Sequence, residues 1–433
     1  MISGMHAILK RNSLFLEGVR EMMTKRVAIT KTGKGKIEPA VRKAISLAGG
    51  LDEIIKGSSK VLIKPNLGKP APSGSGILTN AQVTEAVTRL VLEMGPKSVI
   101  IGDGAIAGYD FAGFSTKEAF ETSGMMEVAG RLGVELRNLN ADRFAEVTIS
   151  HPHVMEKVKI AKTALESDVI ISVPVLKSHI RTHVTLSLKN MKGVMPGAEK
   201  RKSHRLGLDL AIADLISAVR PHYAVIDATF GMEGLWQYPQ DTRELGIVIA
   251  GRDPLAVDTV GTSVMGIDID QVMHLQYIAK QEGTTVNLDQ IEIVGEPLKD
   301  HIHHFVTGFE AFEKSLPEVN IVQGESACSG CTNELVSALI YMKEAGYYEE
   351  LKGLTAIIGN PDNPETSEKT AVFGKCAKGF AGLGEYAGGC PPKEKDMIHV
   401  LCELCSADFE RVIATRDEAR RNLWESSKNL LKQ

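Results

Sequence analysis

Four cysteines carry the densest chemical signal in this sequence. Cys328 and Cys331 form a C-x2-C pair, Cys376 stands alone, and Cys390 sits in Gly388-Gly389-Cys390-Pro391-Pro392. Four thiolates are the usual ligands of a [4Fe–4S] cluster, and a proline often follows the last of them. Proline fixes φ and removes a backbone N–H, which stiffens the turn that presents the sulfur. Cys328, Cys331, Cys376 and Cys390 are therefore the candidate metal ligands, with a [4Fe–4S] cluster as the expected cofactor. A rival set exists, because Cys402 and Cys405 form a second C-x2-C. Joined to Cys328 and Cys331, that pair would make an all-thiolate zinc site. It lies in a helical pattern over 395–413, where both residues also read as core positions one turn apart. A second cluster or a redox disulfide at this pair stays open.

Cations form the other concentration. Between Val173 and Val194 lie Lys177, His179, Arg181, His183, Lys189, Asn190 and Lys192. They follow a strand-like apolar run, so they are expected at the carboxyl edge of a sheet, where Lys64-Pro65-Asn66, after another such run, would join them. In a chain of net charge −4, this density reads as a site for an anion: a carboxylate, a phosphate or a nucleotide. Lys64, Asn66, Lys189, Asn190 and Lys192 are the substrate-binding candidates, and Lys177 and His179 the catalytic ones. Asp227, at a strand end, and Asp258, one helical turn beyond Asp253-Pro254, are candidate acids or bases. Glu233 is a weaker one. Asp253 itself reads as a helix N-cap with proline at the first turn.

Two other signals are weak. Gly102-Asp103-Gly104 with Gly108 departs from the G-x-G-x-x-G spacing and reads as a functional turn. His301, His303 and His304 fall in a presumed junction and read as a solvated linker.

The elements that must hold these residues alternate short apolar runs with helical patterns, which points to an α/β layered fold with mostly parallel sheets. Strands are expected at 27–31, 60–64, 98–102, 134–139, 168–173, 223–227 and 246–250. Helices are expected at 82–94 and 208–219, each closed by a proline two residues on. Runs such as Val169-Ile-Ile-Ser-Val are apolar throughout, as suits parallel strands covered on both faces. A smaller α/β unit follows, with strands at 319–322, 354–358 and 370–373 and a helix at 332–345. The chain thus divides into an extension (1–25), a large domain (26–300), a cysteine-rich domain (318–405) and a charged helical tail (406–433). The natural start is read near Met23.

At 433 residues, 43% hydrophobic and 24% charged, the composition is that of a globular protein of two or three domains. The negative balance and 5% aromatics argue against nucleic-acid binding, and no apolar run approaches the ~20 residues of a membrane span. Six cysteines in so long a chain are too few for a disulfide scaffold and fit a reducing, cytoplasmic setting.

Lys60-Val-Leu-Ile-Lys-Pro-Asn, Val173-Pro-Val-Leu-Lys-Ser-His, Leu186-Ser-Leu-Lys-Asn-Met-Lys-Gly and Gly251-Arg-Asp-Pro-Leu-Ala-Val-Asp together resemble the DUF362 family, over about residues 26–294. The cysteine-rich part, about 318–400, resembles the proximal-cluster module of nickel–iron hydrogenase small subunits, although the spacing between its cysteines is shorter. The first resemblance implies a frequent link to Fe–S domains, and the second a cluster type. On these grounds the expectation is an iron–sulfur oxidoreductase relaying electrons to or from an anion in a Lys/His pocket. Its partners would be an anionic small molecule and a ferredoxin-like carrier or redox complex. The alternatives are a non-redox enzyme of the lactate-racemase kind with a structural cluster, and a cluster carrier or maturation protein.

Overall fold

The computed structural model describes residues 25–33, 36–105, 116–234, 241–324 and 326–430. The expected extension, apart from Lys25, and Gly108 lie outside the described residues.

Ten described strands form the first sheet: β1 (Arg26–Lys31), β2 (Lys60–Pro65), β3 (Ser98–Asp103), β4 (Glu135–Asn138), β5 (Val169–Val173), β6 (Val175–His179), β7 (His183–Thr185), β8 (Tyr223–Met232), β9 (Thr242–Gly251) and β10 (Glu292–Gly295). The main order is β10-β1-β9-β8-β5-β2-β3-β4, with β6 beside β8 and β7 beside β6. The run β8-β5-β2-β3-β4 is parallel. Both neighbours of β9 pair with it in antiparallel fashion, in register from Val27↔Gly251 and Ala224↔Gly251. This long β8–β9 pair is the main departure from expectation, since the apolar runs mark only the parts of each strand nearest the core.

Both faces of the sheet are covered. Leu62 and Ile170 join one hydrophobic core, while Ile63 and Ile171, one residue on, join another on the opposite face. Alternate side chains of a strand point to opposite faces, so two cores require apolar residues at every position.

The second sheet is parallel throughout, in the order β11 (Asn320–Gln323), β12 (Leu354–Ile358), β13 (Lys369–Phe373) and β14 (Glu385–Ala387). Its core includes Leu335, Leu339, Ala356, Phe373 and Leu401, and Ile180 from the β6–β7 turn packs against it. The expected single helical pattern over 395–413 is two helices, Glu394–Cys405 and Phe409–Leu430, parted where Ser406 takes a left-handed conformation (φ 51°). His301 is buried and not part of a solvated linker. Among the described residues no helix is long and apolar enough to cross a membrane.

A buried ion pair fastens the carboxyl edge of the first sheet. Lys64 Nζ, at the end of β2, lies 2.6 Å from Asp103 Oδ1 at the end of β3, and neither side chain is more than 3% exposed. Asp103 Oδ2 also accepts the Leu67 N–H at 2.7 Å. A methyl group on Gly193 would stand 2.0 Å from Asp103 Oδ1 and 2.6 Å from Lys64 Nζ, so only glycine lets this loop close over the pair. Asp103→Ala would strand a buried ammonium, and unfolding in urea should show a loss of about 3–5 kcal/mol. A loss under about 1 kcal/mol would mean the pair contributes little.

Candidate functional site

The first sheet delivers most of its cationic residues through β6, β7 and the short helix Ser187–Asn190. On β6, Lys177 and His179 are two positions apart and so share a face. The helix is held from beneath: Asp258 Oδ1 accepts the Ser187 N–H at 2.8 Å, and Asp258 Oδ2 accepts the Leu188 N–H at 2.9 Å. Ser187 Oγ adds a third donor at 2.5 Å. Burial pushes the Asp258 carboxyl up to about 7 against these hydrogen bonds. Asp258, expected as an acid or base, is thus a cap that positions Lys189 and Asn190.

Asp227 is a second correction of the same kind. Its Oδ2 accepts the Asn80 N–H at 2.7 Å, and its Oδ1 accepts Thr229 N–H at 3.0 Å and Thr229 O–H at 2.6 Å. Both oxygens are occupied in a buried setting, so Asp227 anchors the N-terminus of helix Ala81–Glu93, where Asn80 is the cap. Asp253 caps Pro254–Val264, as the sequence implies. Glu233 is engaged by Arg243 and the Val306 N–H.

Two residues expected to bind substrate are instead part of the frame. Lys64 is consumed by Asp103 and by Asn190 Oδ1 at 3.0 Å. Asn190 uses its amide on Lys64 O at 2.9 Å and Ser172 Oγ at 3.0 Å. Asn66 donates to Asn190 Oδ1 at 3.1 Å, while its own Oδ1 is buried and has no hydrogen-bond partner among the described residues.

The remaining cations gather. Lys177 Nζ donates to Ile77 O at 2.8 Å, Lys189 Nζ to Thr185 Oγ1 at 2.9 Å, and Lys192 Nζ meets His204 Nε2 at 2.8 Å. Burial lowers Lys177 and Lys192 to about 7. It also pushes Lys189 and His179 well down, an effect that neighbouring lysines reinforce. His179 Nδ1 accepts the Arg181 and Thr182 N–H groups, both at 3.2 Å, which leaves the ring proton on Nε2 when the imidazole is neutral. Sequence reasoning missed two members, Lys200 and His204. Both lie on the helix Gly197–Arg205, four residues apart and therefore on one face. The run Glu199-Lys-Arg-Lys-Ser-His-Arg, close behind Lys192, was the available signal. Lys200 is buried and its Nζ donates at 2.8 Å to Gly104 O, Ala105 O and Asn140 Oδ1.

The four cysteines lie beyond strand ends at the carboxyl edge of the second sheet, with Cys331 in the first turn of helix Ser329–Glu344, Cys376 in the 3-10 helix Lys375–Leu383 and Cys390 in the loop after β14. Cys328 caps the helix Ser329–Glu344, whose positive end favours thiolate. The Cys331 thiol donates to it, with the Cys331 and Gly330 N–H groups and the Arg181 charge lowering Cys328 further. Cys331 is correspondingly raised by Cys328, by burial, and by the charges of Cys390 and Cys376. The two other loops are stitched together by Lys375 N–H to Gly389 O at 2.7 Å and Gly374 N–H to Ala387 O at 2.9 Å. A methyl on Gly374 would stand 3.1 Å from Cys331 Sγ, and one on Gly330 would stand 3.2 Å from Pro391 and 3.5 Å from Cys328 Sγ. Glycine is what lets these loops close on one another.

Cys402 and Cys405 belong elsewhere. They are buried in the core of the second sheet on helix Glu394–Cys405, and burial raises Cys402 to about 11. Among the described residues no group of three or more His, Cys, Asp or Glu side chains is gathered tightly enough for one metal ion. Four cysteines are the donor type that a [4Fe–4S] cluster takes.

The two edges meet. Arg181, in the β6–β7 turn, donates to Ala327 O at 2.9 Å and to Gln323 Oε1. Its charge and that of Lys192 act on Cys328, and that of Arg205 on Cys390.

Comparison with known proteins agrees with the first part. A thylakoid-associated protein of Synechocystis sp. is 28% identical over 240 residues, spanning 54% of this chain and 71% of the relative. Among solved structures, the lactate racemase apoprotein of Thermoanaerobacterium thermosaccharolyticum aligns with 89% of this chain and 82% of its own, at 12% identity and a TM-score of 0.34. A Thermotoga maritima protein aligns with 90% of this chain and 83% of its own, at 12% identity and a TM-score of 0.32. These comparisons lend no support to the likeness between residues 318–400 and hydrogenase small subunits. Residues 61–263 match the family described as Domain of unknown function (DUF362).

Proposed function

We propose that this chain is an iron–sulfur oxidoreductase, in which Cys328, Cys331, Cys376 and Cys390 hold a [4Fe–4S] cluster beside an anion site formed by Lys177, His179, Lys189 and Lys192. One observation carries the reading: the cysteine loops and the cationic group are at the carboxyl edges of two separate sheets, and Arg181 joins them directly. Ligands of open α/β sheets bind at such edges. A cluster held by four thiolates would supply single electrons and leave no open iron site. The lysines' task is to bind and orient the anion, and that of Arg181 is to hold the cysteine loop against it. A ferredoxin-like carrier or a larger redox complex would be the electron partner.

A second reading draws on the lowered lysines. An amine near 7 is poised to accept a proton at neutral pH, so the same group would serve a non-redox isomerase beside a structural cluster. A carrier that hands its cluster to another protein is the third.

Anaerobic purification separates them. The first reading expects a brown protein with about four irons per chain and a spectrum that bleaches on reduction. A cluster that resists reduction supports the second, and stoichiometric loss to an acceptor supports the third. Zinc alone rejects all three. Cys390→Ser should lower iron content severalfold, while Cys402→Ser should leave it unchanged; equal iron in wild type and Cys390→Ser removes that ligand.

The lysines yield a test of their own. Lys177 titrates near 7 in the folded chain against 10.5 when unfolded. Between those values the unfolded chain binds the extra proton, so stability rises with pH across that window and is lowest below it. Lys177→Met should therefore stabilise the protein at pH 7, on the order of 1–3 kcal/mol. The gain should shrink toward pH 10, and anion affinity should fall. A destabilised variant at pH 7 would show that Lys177 is a structural residue.

A further inference from the structure

The charge balance of the cationic group narrows what it takes, given that it is an anion site as proposed above. Asp103 is held by Lys64 at 2.6 Å, and Asp209 by His274, whose Nδ1 and backbone N–H lie 3.1 and 3.0 Å from Asp209 Oδ1. Asp227 and Asp258 are saturated by capping bonds. Among the described residues, Lys189, Lys192 and Lys200 have only neutral partners in their hydrogen bonds: a threonine, a histidine, two carbonyls and an asparagine. Lys192 lies within the field of both Lys189 and Lys200, Arg181 acts on His204 from the other side, and the opposing charges that face these lysines are Asp209 on Lys189 and Lys192, Cys328 on Lys192 and Asp103 on Lys200.

Several ammonium groups cannot all be charged in such a place without counter-charge, because burying an ion without a partner is costly. One carboxylate would balance one of them and leave the others in the same position. We infer that the natural ligand is a multivalent oxyanion, a phosphate ester, a pyrophosphate or a polycarboxylate, held by Lys189 and Lys192 with Lys200 behind them. Asn66 Oδ1, buried and without a donor among the described residues, is an unmet polar atom within the same frame. A hydroxyl on the ligand would satisfy it.

Proton uptake is the accompanying signature. Burial lowers Lys192 to about 7, so at pH 8 it is largely neutral until an anion's arrival charges it. Binding at that pH takes protons from the buffer.

The experiment uses anaerobically purified full-length protein, with pyrophosphate, citrate and acetate at matched ionic strength. Thermal unfolding is expected to shift by several degrees with pyrophosphate or citrate and negligibly with acetate; the stronger of the two identifies phosphate or carboxylate chemistry. Calorimetry at pH 8 in buffers of different ionisation enthalpy is expected to show net uptake of protons. Lys189→Met and Lys192→Met should each weaken binding at least tenfold while remaining folded. Equal shifts with acetate and pyrophosphate, or unchanged affinity in both variants, would overturn the inference. Iron content is measured in the same sample. Iron-free protein that still takes up the polyanion with protons removes the redox reading and leaves the ligand class standing.

Discussion

Everything at the working edge of the large sheet is referred back to one buried pair, Lys64 and Asp103. The two residues end adjacent parallel strands, and their contact at 2.6 Å sets how those ends are spaced. Asn190 reads the position of Lys64 through both its amide and its carbonyl oxygen, and Asn66 reads Asn190 in turn. The helix that carries Lys189 is therefore located from one side by an ammonium and from the other by the Asp258 carboxylate. A charge pair is a poor source of stability when buried, but a good source of uniqueness, because no shifted arrangement satisfies it.

That economy explains the division of labour among residues of one type. Lys64 and Lys177 both follow apolar runs at strand ends, and nothing in their sequence neighbourhood separates a frame lysine from a site lysine. The difference is register. Lys64 is on β2 beside β3, where an aspartate waits; Lys177 is on β6, paired with Thr185 and Met232, which offer no charge. One lysine is paired with a carboxylate, and the other donates to the Ile77 carbonyl.

Much of the fold was legible for a simple reason: strands covered on both faces must be apolar throughout, and such runs stand out. Seven of the first sheet's strands and three of the second's were visible in this way. The second half of the β8–β9 pair was not, because Thr242-Arg-Glu-Leu is polar and partly exposed and leaves no such trace. The cysteine loops were legible from spacing and glycine. The aspartates were misread because a capping carboxylate and a catalytic one have the same local sequence. Only the partners distinguish them, and for Asp258 those partners lie about seventy positions away. Asp103 was noticed as part of a glycine-rich turn but not as a counter-ion, for the same reason.

The turn between β6 and β7 has a mechanical meaning as well. Within three consecutive residues, His179 belongs to the cationic group, Ile180 is inserted in the hydrophobic core of the small sheet, and Arg181 grips the backbone next to Cys328. A segment embedded on both sides acts as a rivet. The halves of this molecule are therefore ill suited to wide hinge opening, and a chain cut between them would leave an apolar side chain bare on one piece and an unfilled notch on the other.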